Sequence, residues 1–229
     1  MGKDGQPKHK QAARELRRRE AQRQPAESLL IVCEGAKTEP LYLGEIRQEL
    51  RLPSANVQVQ PAAYGTEPLR IVEYAEYLFT QGHRALGIRA CSFDRVVAVF
   101  DRDEHHTYHA ALQRVAALNG RLKNDENVRV PFEAVVSVPC FELWLLLHFE
   151  DVFAPLHRDE AVARLRLHLA DYAKGQGSHW TATRARLETA TQRAAGLVGA
   201  GHTAADGMQP YTKMHELVNR LLHLKDQAA

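Results

Sequence analysis

Two places in the sequence put acidic side chains directly after short apolar runs. Glu34 follows Leu29-Leu30-Ile31-Val32-Cys33, and Asp101-Arg102-Asp103 follows Val96-Val97-Ala98-Val99-Phe100. Side chains two residues apart in an extended chain point to the same side, so Asp101 and Asp103 can share a hard divalent cation. Magnesium takes oxygen ligands, keeps several waters, and needs only one or two protein carboxylates beside a substrate phosphate. Glu34, Asp101 and Asp103 gathered on one edge therefore make a plausible site for such a cation. A lone Asp-X-Asp is more often a solvated turn; a second strand end carrying an acid shifts the balance.

Further candidates follow from position. Glu142 joins the set if the helix beginning there faces the strand ends; otherwise it is an acid complementing that helix's first turn. Lys174 opens the glycine-containing stretch Lys174 to Ser178 and offers phosphate a point charge, or is an ordinary exposed lysine. His105, His106 and His109 raise a zinc reading, but no Glu-X-X-His or cysteine partner completes it, so an exposed helix start is the expectation. Gly35 belongs to neither a dinucleotide fingerprint nor a Walker lysine-serine pair. Any ATPase would have to be a separate partner.

These acids need elements to hold them. The run 29–33 is rich in branched side chains and reads as a strand buried on both faces. After the Glu34-Gly35 turn, Thr38 or Glu39 starts a helix with Pro40 in its first turn and Leu41, Ile46 and Leu50 as its stripe. Val57 to Val59 alternates as a second strand, and Ile71, Ala75, Leu78 and Phe79 give a second amphipathic helix. The run 96–100 is a third strand. A helix from about His106 to Arg121 and a strand from about Val130 to Val136 complete a βαβαβαβ order, which predicts an α/β fold with a mostly parallel four-stranded sheet covered by helices on both faces. In such sheets ligands bind beyond the carboxyl ends of the strands, where the acids fall. From Phe141 to Phe149 the pattern is nearly all-round apolar and predicts a buried helix. Helical patterns follow at about 159–173, 180–197 and 212–226. The expected organisation is a basic tail (1–25), a catalytic unit (26–150) and a helical C-terminal extension (151–229).

Composition narrows the class. The chain has 229 residues, 45% of them hydrophobic, enough for one substantial core. No apolar run reaches the roughly 20 residues of a membrane span, and the polar N-terminus lacks the apolar core of a signal peptide, so a cytoplasmic protein without membrane contact is expected. Cys33, Cys91 and Cys140 are widely spaced in apolar sequence and read as reduced, packed thiols. The net charge of +2 is uneven: residues 1–25 carry eight Lys or Arg against Asp4, Glu15 and Glu20. Such a tail suits contact with nucleic-acid phosphates or serves as a solvated arm.

The stretches Cys33-Glu34-Gly35-Ala36-Lys37-Thr38-Glu39, Phe100-Asp101-Arg102-Asp103 and Pro139-Cys140-Phe141-Glu142-Leu143-Trp144, with His148 downstream, together resemble the RloB-like family, whose catalytic core looks like a Toprim domain. The resemblance runs over roughly residues 27–225 and extends to Tyr172, Lys174, Pro210, Thr212, His215 and Leu217. The chain departs from the pattern at Val138, where an asparagine is expected before the proline. The resemblance implies a Mg²⁺-dependent nuclease, with Mn²⁺ as the alternative ion, acting in bacterial anti-phage defence beside a partner ATPase; in it Asp101 and Asp103 would hold the metal directly or through water, and Glu34 would act as general base or second ligand. His148 and His215 occupy family positions, so each either contacts phosphate or a leaving oxygen, or satisfies a buried hydrogen bond. Topoisomerase- or primase-like activity needs more machinery than this chain holds. The competing non-enzyme reading is a nucleic-acid-binding or adaptor subunit with inert acids. DNA and RNA, including tRNA, remain open as substrates, as does homo-oligomerisation.

Overall fold

The run Leu29 to Cys33 forms strand β1 (Leu29–Cys33), with all five side chains buried, as a strand covered on both faces requires. The computed structural model describes residues 27–54 and 56–228; the basic tail 1–25 lies outside them. Helix α1 (Thr38–Glu49) leads to β2 (Val57–Pro61), α2 (Pro68–Gln81), β3 (Arg95–Asp101), α3 (Tyr108–Leu118) and β4 (Phe132–Val138). Next come α4 (Glu142–Leu146), α5 (Arg158–His168), α6 (His179–Thr183), α7 (Leu187–Gly199), β5 (Tyr211–Thr212) and α8 (Met214–Ala228). Among the described residues no helix is long and apolar enough to cross a membrane.

The sheet has five strands in the order β2-β1-β3-β4-β5. The first four are mutually parallel, and β5 runs antiparallel to β4 through Ser137↔Thr212 and Val138↔Tyr211. The expected four-stranded sheet thus gains a strand of two residues, too short to show any periodicity. Ser137 and Thr212 share a hydroxyl hydrogen bond of 3.0 Å there. Cys33 pairs with Val99 and Asp101 with Ser137, so the carboxyl ends of β1, β3 and β4 finish nearly level, and the residues that follow them share one rim.

Alternation along the strands builds two cores. Leu29, Ile31, Cys33, Val97 and Val99 face α1, α4 and the later helices, while Leu30, Val32, Val96, Ala98 and Phe100 face α2 and α3. The segment after Pro139 is buried as expected, but its α-helical part is confined to Glu142–Leu146. Tighter i→i+3 bonds flank it, from Leu143 N–H to Cys140 and from Phe149 N–H to Leu146, a common way to finish a short, buried helix. The expected helix 159–173 is shortened, α5 ending at His168, and the expected helix 180–197 is interrupted, α6 and α7 being separated by a 3₁₀ turn at Arg184–Arg186.

Trp144 is wholly buried, and its indole N–H donates to the Tyr42 hydroxyl at 2.9 Å. Tyr42 meets Phe141 and Trp180 edge-on, with ring centroids 5.5 and 5.9 Å apart. One aromatic cluster therefore joins α1, α4 and α6, while Leu165, Leu217 and Leu221 close the same core. Trp144→Ala should cost about 3–5 kcal/mol and lower the melting temperature. Tyr42→Phe, which strands the buried indole N–H, should cost about 1–3 kcal/mol. Thermal denaturation of both variants checks this, and a wild-type melting temperature for Trp144→Ala would remove the anchoring role.

Candidate metal centre at the sheet rim

Glu34 leaves β1 with its backbone N–H on the Val99 carbonyl (2.9 Å), and its carboxylate accepts the Asp101 backbone N–H at 2.8 Å. The first strand's acid is thereby locked to the end of the third. Gly35 follows for a steric reason: a Cβ there would lie 2.1 Å from the Glu39 carboxylate, so only glycine lets Glu39 fold over the turn. Asp101 is the last residue of β3 and is 8% exposed.

Asp103 lies beyond the strand. Its φ of +33° puts it in the left-handed region that L-residues seldom adopt, and its N–H bonds the Pro139 carbonyl at 3.0 Å. The two aspartates are thus brought together by a turn, and the expected strand pleat does not extend to Asp103. The Asp103 side chain is 7% exposed and one oxygen is ion-paired with Arg158 at the start of α5. The other oxygen is buried and, among the described residues, has no hydrogen-bond partner.

His105 turns back from the loop before α3. Its Nε2 lies 3.1 Å from one Glu34 oxygen and its Nδ1 3.3 Å from Glu67; the Thr107 hydroxyl donates to the second Glu67 oxygen at 2.7 Å. Glu34, Asp103 and His105 each present a ligand atom, all within 4.8 Å of one another. Asp101 stands beside this group, coupled electrostatically to Glu34 and Asp103. His106 and His109 are exposed, as expected of a helix start, but His105 is not part of that surface.

Glu142, near the start of α4, faces the same rim. Tyr172 donates to it at 2.7 Å and Lys174 is ion-paired with it at 3.1 Å. The Lys174 loop is pinned to α1, where the Gly175 N–H donates to the Thr38 hydroxyl at 3.1 Å. Gly175 has φ +77°, and a Cβ there would meet Lys37 Cδ at 2.8 Å. His148 and His215 are not brought to the rim. His148 is bonded through Nδ1 to the Trp144 carbonyl at 2.9 Å, and its charged neighbours are Arg186 and Arg193. His215 sits at the start of α8, where its charged neighbours are Glu216 and Lys213.

Packing these acids together shifts their protonation. Burial, then repulsion from Glu39, Glu34, Glu142 and Asp103, pushes Asp101 well above the usual carboxylate range. Burial raises Glu34, and also Asp103 despite Arg158. Glu39 is pushed up to about 7 by burial, with Glu34 and Glu142 adding to it. Glu142 goes the other way: burial opposes its charge, but the Tyr172 hydroxyl and Lys174 ammonium outweigh it and hold its carboxyl low. Burial lowers His148 to about 4 and also lowers His215.

The orphaned oxygen of Asp103, a side chain grouped with Glu34 and His105, is the observation against which a metal can be tested. A buried acceptor without a donor is costly, and burial, with repulsion between the acids adding to it, raises three neighbouring carboxyls. A divalent cation relieves both, so this donor set fits one. Four contributors to the rim did not emerge from the sequence pattern. Glu39 looked like a helix start, His105 like a surface histidine, and Glu67 and Arg158 carried no local signal. The spacing of Glu39 from Glu34 across a glycine turn is the one clue that was present.

Comparison with other proteins adds one positive finding. No curated protein and no solved structure matches the chain. A family profile described as RloB-like protein matches residues 29–221, a span that takes in β1, the whole acidic rim and most of α8. With its strand-end acids assembled as described and the match covering most of its length, the chain belongs to the RloB-like protein family.

Proposed function

We propose that the chain is a metal-dependent nuclease, with a Toprim-like catalytic unit at 26–150 and a helical extension at 151–229, acting as the effector of an anti-phage system with a partner ATPase. The observation that carries this reading is the buried, unpartnered Asp103 oxygen beside Glu34 and His105, within a group of carboxylates too close to remain charged unaided. The family resemblance supports the defence role, the partner and a nucleic-acid substrate.

Glu34 and Asp103 would hold Mg²⁺ or Mn²⁺, with Asp101 bound through water or directly. The cation would supply charge neutralisation at the scissile phosphate. Hydrolysis joins a water oxygen to phosphorus and breaks the bond to the leaving sugar oxygen, so a base must take the water's proton and the leaving oxygen must gain one from solvent. Glu39, buried on the same rim beside Glu34, and Glu34 itself are the two carboxylates that could act as that base. Arg158 and Lys174 flank the acids, each partly exposed at 40% and 46%. Each can exchange its carboxylate partner for a phosphate oxygen. Beside Asp103 a cleft of about 220 Å³, lined by Arg102, Pro139, Leu156, Arg158 and Met208, gives the substrate a place next to the acids. His148 and His215 take no part in this scheme.

Glu34→Gln, Asp101→Asn and Asp103→Asn should each lower divalent-dependent cleavage of single-stranded DNA or RNA by about a hundredfold or more, while their circular dichroism stays native. A wild type that binds nucleic acid but shows no divalent-dependent cleavage would leave the binding or adaptor role in its place, and cleavage that survives all three changes would take the activity away from these acids. Removing residues 1–25 should weaken binding and flatten its salt dependence while leaving cleavage in place.

A pH dependence follows from Glu39. An acid raised in the folded state from about 4.5 to about 7 binds more protons folded than unfolded between those values. Its contribution to stability is therefore greatest at low pH and is lost as pH rises from about 4.5 to 7. In chelator, Glu39→Gln should gain on wild type across that window, by up to about 3 kcal/mol, and level off above it. Using the difference between the two proteins cancels His148, whose opposite shift destabilises both as pH falls below about 6.5. Denaturant titrations at several pH values check this; parallel curves would place Glu39 outside the repulsive cluster.

A further inference from the structure

We infer that His105 is a nitrogen ligand of the rim metal, oriented by Glu67 and Thr107, and that it biases the site toward a first-row transition cation such as Mn²⁺ over Mg²⁺. The inference rests on the metal-dependent reading above and adds the ligand and the ion it selects.

Thr107 donates its hydroxyl to one Glu67 oxygen at 2.7 Å, and the other Glu67 oxygen faces His105 Nδ1 at 3.3 Å. Glu67 immediately precedes α2 and Thr107 immediately precedes α3, so the pair is fixed by two helix starts. A carboxylate accepting from Nδ1–H sets the tautomer and leaves the Nε2 lone pair free. This carboxylate–imidazole arrangement recurs behind metal-bound histidines. The Nε2 then points at Glu34 Oε1, 3.1 Å away. With Nδ1 carrying the proton, two Lewis bases face each other at contact distance.

The third donor is a carboxylate oxygen of Asp103, which has one oxygen without a partner among the described residues and a side chain 93% of whose surface is covered. Ligands about 2.1 Å from a shared ion stand roughly 3–4 Å apart, and the three donor atoms here lie within 4.8 Å of one another. A small contraction of side chains, without backbone movement, closes that difference. The set is therefore two carboxylates and one imidazole on one side, with the remaining positions open to water or substrate. An all-oxygen set suits Mg²⁺, whereas an imidazole ligand favours first-row transition ions. The neighbouring charges are Arg158 on the second Asp103 oxygen, Asp101 beside Glu34, and Glu67 behind the ring. Lys174 also reaches Asp103, as does Glu142, and Glu39 and Glu142 act on Asp101; the acids outnumber the two cations, which keeps the pocket attractive to a dication.

The test uses the full chain, with Mn²⁺ and Mg²⁺ as probes. Calorimetric titration should give Mn²⁺ at least tenfold tighter than Mg²⁺. Pulsed electron paramagnetic resonance of the bound Mn²⁺ should show coupling to an imidazole ¹⁴N. His105→Asn, which keeps size and polarity, should abolish the nitrogen coupling and shrink the Mn²⁺/Mg²⁺ ratio severalfold. Glu67→Gln should weaken Mn²⁺ about tenfold or more while the coupling persists. Melting curves and circular dichroism in chelator establish that each variant is folded, and the wild-type coupling stands whatever a variant does. Bound Mn²⁺ without nitrogen coupling overturns the role of His105 and leaves the metal-dependent reading standing. Absence of any divalent binding overturns both.

Discussion

The structure depends on one electrostatic constraint: Glu34, Glu39, Asp101, Asp103 and Glu142 are packed within mutual repulsion at a single sheet rim. Like charges at such distances in a poorly solvated site cannot all ionise without compensation. The chain supplies part of it. Lys174 and Tyr172 neutralise Glu142, Arg158 takes one Asp103 oxygen, and the Asp101 backbone N–H takes one Glu34 oxygen. What is left uncompensated is concentrated at Asp101, Glu39 and the bare Asp103 oxygen. A fold that placed these groups only for stability would replace some of them with amides.

The rest of the architecture can be understood as support for that rim. Level strand ends set the acids at one height, and parallel pairing of β1, β3 and β4 requires the crossover helices that form the two cores. The aromatic cluster of Tyr42, Phe141, Trp144 and Trp180 ties α1 to α4 and α6, and α1 and α4 are the helices that begin beside Glu39 and Glu142. The Lys174 loop is pinned to the start of α1 by Gly175 and Thr38. Charged groups on short, buried attachments lose little entropy on binding a cation, which is the condition for a preorganised site.

The strands, their order along the chain and the first three acids were legible because each acid follows an apolar run, and a buried parallel strand writes that run unbroken. What was hidden depends on long-range contact. His105 meets Glu34 across 71 residues and Glu67 across 38; Arg158 meets Asp103 across 55. A histidine at a helix start is indistinguishable in sequence from a solvated one until the loop's direction is known. Strand β5 escaped because two residues have no period. Asp103 was placed in the right company for the wrong reason: a left-handed turn, not a pleat, carries it to the rim. His148 and His215 were singled out by resemblance, and packing sets both away from the acids.

The central claim is that the rim is built around a divalent cation, and a thermal-shift titration of the full chain at pH 7.5 tests it most directly. Saturating Mg²⁺ or Mn²⁺ should raise the melting temperature above its value in chelator by about 5 °C or more, the size expected from a ligand near a hundred times its Kd. In Asp103→Asn the shift should vanish. A wild-type melting temperature that neither cation moves, or an equal shift in Asp103→Asn, would contradict the account.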